Sequence, residues 1–440
     1  MREPRTRVMP EVQRLSGLSP RRRAELLERS AARLLDPSVR ETAARALEAV
    51  RERGDDAVAA YTAAHDGVRL TPAELAVDGE TIARARQAIP PAVLAALEAA
   101  IERARRYNEH LMPRSWLEPL EPGITVGIKF TPLSGVGVYV PSGKGTFPST
   151  AVTLLTPAVV AGVEAIAVVV PPRRDGSVDP AILAACDLLG VRAVFRCNGV
   201  AGVAALAVGT ERIPRMPALA GPGNPYVAAT QLLAQAGGVR MLALLGPTEA
   251  VILADETADP RRVALDLVSE AEHGADSAAL LVTDSPALAA AVAERIPILL
   301  DRLPEDRAGF ARAAITANGG IFAAASMEEA IAFVNDYAPE HLLVVTVDPR
   351  RILERITHAG EILLGPSTPF AAANYAIGVP AALPTNGAAR AASGITALSF
   401  LKASSVAMLD EAALGRLRPV VEQLGMYEGF PAHVRAVTDR

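Results

Sequence analysis

Glu272-His273 in SEAEHGADS and Glu340-His341 in NDYAPEHLLVV each set one of the chain's six histidines directly after a glutamate. Acid beside base is the least that proton transfer to or from a reacting group requires. The first pair closes a stretch with well-marked boundaries. Asp259 suits an N-cap, Pro260 the first helical position and Gly274 the stop, so the spacing predicts a helix over 260–273. Glu270 and His273 then fall three residues apart on one face of its last turn, where the helix dipole favours a cation. Half of a metal site and a solvent-facing turn both fit that arrangement. Glu340 and His341 follow Pro339 and open the apolar run 342–345, where a helix hands over to a strand. Strand ends of α/β sheets often carry functional groups. Neighbouring strand residues face opposite ways, so this pair shares a pocket only if the backbone turns there. Without such a turn, His341 is a satisfied surface residue. Glu428 and His433, in YEGFPAH, form a third combination that alone means little, and His65, His110 and His358 have no neighbouring motif.

The elements that must position these groups can be read from texture. Half of the 440 residues are apolar and Gly and Pro are ordinary in number, which points to two or three domains with a sizeable core. A net charge of −5 without a long basic stretch argues against nucleic acid or an anionic membrane as partner. Arg21-Arg22-Arg23 reads as a solvated helix face. The longest apolar run, 149–170, is broken by Pro157, Gly162 and Glu164 and reads as a helix plus a buried strand rather than a membrane span. Cys186 and Cys197 both lie in apolar segments, which leaves no disulfide framework and no cysteine-rich zinc site. No signal peptide is legible before Arg2-Glu3-Pro4, so the expected compartment is the cytosol.

From Pro20 to about Arg106, Ala, Leu, Arg and Glu recur at helical spacing. After Gly127 short Val/Ala/Leu runs alternate with amphipathic stretches, the pattern of βαβ units around parallel sheet. Strands are predicted near 136–140, 165–170, 193–197 and 241–245. A second block predicts strands near 251–254, 279–282, 321–323, 342–345 and 362–364, so two sheets are expected. The tract 365–388 is too rich in Pro, Gly and Asn for regular structure, and long loops of this kind are often functional. A short, mainly helical tail follows. Gly221-Pro222-Gly223-Asn224 before a helical run could seat a phosphate-bearing cofactor, though as a lone motif it is weak. Ser142-Gly143-Lys144-Gly145 lacks the full phosphate-loop pattern, so ATP or GTP hydrolysis is not indicated.

Taken in order, VGVYVPSGKGTFPST, ALAVGTERIP, AGPGNPYVAAT, ADETADP, SEAEHGADS, NDYAPEHL and EGFPAH resemble the histidinol dehydrogenase family over nearly the whole chain. The resemblance implies an α/β fold of two incomplete Rossmann-like domains, one inserted in the other. It implies an N-terminal helical arm over 1–30, a first domain of 31–133 with 248–385, an inserted domain of 134–247 and a tail over 386–440. The tail would be exchanged in a homodimer, completing the site of a second copy. NAD and zinc are the implied cofactors, and the reaction is the oxidation of a primary amino alcohol through an aldehyde to a carboxylate, with two NAD reduced in succession. By position, Glu340 would activate water and His341 would carry protons. His273 and His433 would ligate zinc, Tyr139 and Asn224 would contact NAD, and Ser149, Thr248, Tyr375 and Glu428 would contact substrate.

Some positions depart from the family pattern. Glu270 stands where the resemblance implies a glutamine zinc ligand, and Asn374 where it implies an aspartate. One acid and one amide are kept, so the charge offered to a metal is unchanged; the competing reading is a decayed site, an amide being the poorer zinc partner. Phe370 and Ala381 replace a glutamate and a histidine that help hold histidinol, and Ala201 replaces an NAD-contacting glutamine. A ring and a methyl cannot bind a cationic amino alcohol as a carboxylate and an imidazole do. The expected substrate is therefore histidinol by default, with a less cationic alcohol or a silent binding homologue as alternatives.

Overall fold

The computed structural model describes residues 9–29, 36–143 and 145–440. Arg2-Glu3-Pro4, Lys144 and part of the expected N-terminal arm lie outside the described residues. The two expected sheets are present, and both are wholly parallel. The larger has the order β1 (Val12–Arg14), β11 (Gly320–Ala323), β10 (Ala278–Thr283), β9 (Glu249–Ala254), β12 (His341–Val345), β13 (Glu361–Leu364). The smaller runs β6 (Ala193–Arg196), β5 (Ala165–Val170), β4 (Gly135–Tyr139), β7 (Ala218–Ala220), β8 (Arg240–Met241). Their central strands are near-continuous runs of Val, Leu, Ile and Ala, buried throughout except at the first two residues of β5, because helices cover both faces.

The packing groups the chain differently from the expected division. The helices Pro37–His65 and Pro91–Leu111 cover the smaller sheet: Leu97 and Ile101 pack with Val136, Val138 and Val168, and Leu47, Val50 and Val58 with Val169 and Leu206. Among the described residues before them, β1, the turn Leu15–Gly17 and the helix Pro20–Glu28 belong with the larger sheet. Helical periodicity reveals an apolar stripe but not which sheet it covers, so the grouping of 31–133 with 248–385 has no basis in pattern. The smaller sheet and its helices are still inserted within the larger unit.

A third, antiparallel sheet was not legible. It has the order β14 (Leu401–Leu409), β3 (Ile124–Pro132), β2 (Trp116–Glu121). All but the first residue of β14 are exposed and lack apolar alternation, so its extended state comes from nine register pairs with β3 rather than from its own pattern. The tail is therefore a strand followed by two helices, Glu411–Tyr427 and Pro431–Thr438. The strand expected over 241–245 is confined to Arg240–Met241, and the chain then passes as loop toward Gly246 and Pro247. Within the tract expected to be irregular, Phe370–Ala372 is helical and continues as a π-helical turn, Ala373–Ile377. That turn ends at Gly378 (φ 92°), where a Cβ would run into the backbone of Arg103 and Ala104. No helix among the described residues is long and apolar enough to cross a membrane.

Candidate active site

The carboxyl ends of the smaller sheet and the amino ends of the larger one meet at a cleft of about 310 Å³. Tyr139 ends β4 and Asn224 follows β7, as the usual rule for open α/β sheets requires. On the larger sheet the rule is reversed: Thr248 precedes β9, Ser277 precedes β10, and His341 opens β12.

The turn needed by Glu340 and His341 is supplied one step earlier. The helix Met327–Tyr337 ends on Ala338, in the left-handed region at φ 50°, ψ 66°. The carbonyls of Pro339 and Glu340 then accept the N–H groups of Gly360 and Glu361 at 2.9 and 3.0 Å. Both side chains consequently reach the cleft while only 6% and 3% exposed. Glu340 Oε2 accepts the Glu249 N–H at 2.9 Å, and Oε1 lies 3.6 Å from His341 Nε2. His341 Nδ1 lies 2.5 Å from Glu361 Oε1, its register partner on β13, which directs the Nδ1 proton to that carboxylate and leaves Nε2 for the cleft.

Burial pushes the Glu340 carboxyl well above the ordinary range, and the His341 imidazolium only partly offsets this. Burial alone would lower His341, but the carboxylates of Glu340 and Glu361 outweigh it and raise the imidazole above its usual range. Two groups of this kind share protons as a pair. Behind them Glu249 forms a buried ion pair with Arg29 and accepts the Asn386 N–H at 3.0 Å. Sequence reasoning missed Glu361 and Glu249. Each opens an apolar strand without a histidine or a spacing motif beside it, and only strand register brings them to His341.

The helix capped by Asp259 spans Pro260–Ala271, two residues shorter than expected, because Glu272 and His273 already belong to the turn that follows. Glu270 is 1% exposed, which removes the reading of a solvent-facing turn. Its Oε1 accepts Asn374 Nδ2 at 3.0 Å, while Oε2 is buried with no hydrogen-bond partner. His273 Nδ1 lies 3.0 Å from the Glu270 carbonyl oxygen, which leaves Nε2 as its free ring nitrogen. An orphaned buried carboxylate oxygen beside an imidazole held through its other nitrogen is the chemistry of a divalent-cation donor set. Among the described residues no three His, Cys, Asp or Glu side chains are placed to hold a metal ion together; the further donor beside this pair on one chain is Asn374, hydrogen-bonded to Glu270.

Ser149, Thr248 and Tyr375 also line the cleft, as do Tyr139 and Asn224. Asn224 Oδ1 caps the next helix by accepting from Tyr226 and Val227 N–H at 3.1 Å each, and Pro225 has no N–H. That helix end therefore offers a phosphate little, and Gly221 is required for another reason: at φ 138° a Cβ would strike the Tyr139 carbonyl. Ala381 lines the cleft, whereas Phe370 is fully buried, its ring nearly perpendicular to that of His341 at 6.0 Å between centroids. Ala201 is buried in the helix Gly199–Val208 and does not line the cleft. Glu428 and His433 are exposed on the tail and do not line it either.

Fold and site together define an α/β enzyme with two parallel sheets whose acid–base groups face one cleft. Residues 29–440 match the family model described as histidinol dehydrogenase. The chain belongs to the histidinol dehydrogenase family. It is 40% identical over 433 residues to a histidinol dehydrogenase from Synechocystis, covering 98% of this chain and 99% of that one. It is 38% identical over 431 residues to a histidinol dehydrogenase homolog from Colwellia psychrerythraea, covering 97% and 96%. The crystal structure of histidinol dehydrogenase from Elizabethkingia anophelis superposes with a TM-score of 0.88 at 28% identity, covering 98% of this chain and 97% of that one.

Proposed function

We propose that the protein oxidises a primary alcohol through an aldehyde to a carboxylate, with L-histidinol to L-histidine as the reference reaction. Family membership supports the reaction class. The observation that carries it is the convergence of Glu340 and His341, the latter held by Glu361 from behind, with Glu270, His273 and Asn374 on one cleft. When bound, NAD would accept hydride and zinc would polarise the alcohol oxygen. Tyr139 and Asn224 would face NAD; Glu270, His273 and Asn374, with His433 of a second copy, would hold zinc. Ser149, Thr248, Tyr375 and Glu428 would contact substrate.

His341 takes the alcohol proton at Nε2, with Nδ1–H held by Glu361 so that the ring keeps its orientation as it charges. Glu340 uses Oε1, the oxygen not committed to the Glu249 N–H, to take a proton from the water that adds to the aldehyde. In sum, one alcohol, one water and two NAD⁺ give one carboxylate, two NADH and three protons.

A homodimer is supported by a run of exposed apolar side chains on β2, β14 and the tail helices, among them Trp116, Leu120, Met408, Leu424, Met426 and Phe430. The cytoplasm is the proposed compartment. A less cationic alcohol is the second reading, favoured by Ala381 on the cleft wall and Phe370 against His341. Incubation with histidinol or the true alcohol should yield two NADH per alcohol consumed, measured by absorbance against carboxylate product. No NADH with any primary alcohol, in metal-replete protein, would favour the silent binding homologue.

A further inference from the structure

A second cavity, of about 200 Å³, opens beside the cleft and shares Ser149, Thr153, Asn374 and Tyr375 with it. It lies between the helix Pro91–Leu111, the helix Pro148–Val160 and the segment 373–380. No charged residue lines it. The buried Asn108 in its lining is already satisfied, with Nδ2 donating to the Ala104 carbonyl at 2.8 Å and Oδ1 accepting the Ala397 N–H at 2.7 Å. Away from the four residues shared with the cleft, the wall includes Leu97, Ala100, Val152, Val379 and Ile395. A cavity of about 150 Å³ with such a lining admits benzene.

We propose that this annex receives an uncharged, apolar extension of the substrate, about the size of a phenyl ring, while the hydroxymethyl end lies in the cleft beside His341. This rests on the proposed oxidation and specifies its substrate class: a primary alcohol with a hydrophobic tail. Two observations converge on it. The annex joins the cleft on the side of Asn374 and Tyr375, away from Asn224. The annex also offers no charge to a cationic side chain, since the carboxylates of the cleft, Glu270, Asp276 and Glu340, lie outside its lining. An apolar tail needs no polar partner there, whereas a charged one would lose its water without compensation.

The test compares 3-phenylpropan-1-ol with propan-1-ol as substrates of the full-length protein, reading kcat/KM from NADH formation. The phenyl compound should be preferred by roughly 10- to 100-fold, the worth of burying such a group. Ala100→Leu, and separately Ala96→Phe at the exposed rim, should bring that ratio close to one. A ratio near one in the unaltered protein, or one that neither variant changes, overturns the proposal; occupation of the annex by the tail of a second copy would give the first result. If histidinol is oxidised while the phenyl preference is absent, the annex proposal fails and the reaction stands. If no alcohol yields NADH, calorimetric titration with the same two alcohols decides. Binding of the phenyl compound that Ala100→Leu abolishes upholds the annex without the reaction, and no binding removes both.

Discussion

Replacing His341 by Gln is expected to lower the turnover number by about 10²–10⁴-fold, the usual worth of a positioned acid–base group. Gln keeps an N–H that can serve Glu361 but cannot carry a proton, so the thermal midpoint should move far less than the rate. His341→Ala is the poorer choice. The imidazole is 3% exposed and contacts two buried carboxylates, so its removal strands Glu361 and costs about 1–3 kcal/mol. Steady-state NADH kinetics with a melting curve separate the effects. More than about a tenth of the wild-type rate in the Gln variant would contradict the proton-carrying role. Glu361→Gln is the matching control. An amide oxygen still accepts from Nδ1–H, but the charge that helps raise the imidazole is gone. His341 then loses its proton at lower pH, and the acid limb of the rate profile shifts to lower pH.

Replacing His273 by Ala is expected to strip the bound divalent ion. Removing an outer-shell partner of a ligand already costs about 10–100-fold in metal affinity, so removing the imidazole should cost at least about 100-fold. Elemental analysis after dialysis against a chelator would show one zinc per chain in the wild type and far less in the variant; equal zinc in both would remove His273 from the donor set. The hydrogen bond from Asn374 Nδ2 to Glu270 Oε1 would survive an exchange of acid and amide between these positions, with the donor on the other side. Glu270→Gln alone leaves two amides and should weaken zinc binding, whereas Glu270→Gln with Asn374→Asp restores one acid and should recover it.

Much of this was legible in the residues. The helix start at Asp259-Pro260, the buried strands and the placement of Glu340 at a helix-to-strand junction follow from capping, apolar runs and Pro339. What escaped was set by long-range pairing. Glu361 meets His341 through strand register, and β14 is extended because β3 lies beside it. Helices 37–65 and 91–111 carry apolar stripes that fit either sheet, and only packing assigns them to the smaller one. The close contact at Gly378 and the π-helical turn presenting Asn374 likewise depend on the helix Pro91–Leu111 lying against that segment. The family resemblance supplied what pattern could not, the joining of segments 270, 341 and 374 in one cleft.

The central claim is that His341 of one chain and the tail of a second copy serve the same cleft. Mixing His341→Gln with His433→Ala protein, after dissociation and reassociation, tests it most directly. Each variant alone should be nearly inactive. In a mixed dimer one cleft carries both lesions and the other neither, so random pairing should restore about a quarter of wild-type activity. No recovery in a sample shown to contain mixed dimers, or full activity of His433→Ala by itself, would contradict the account.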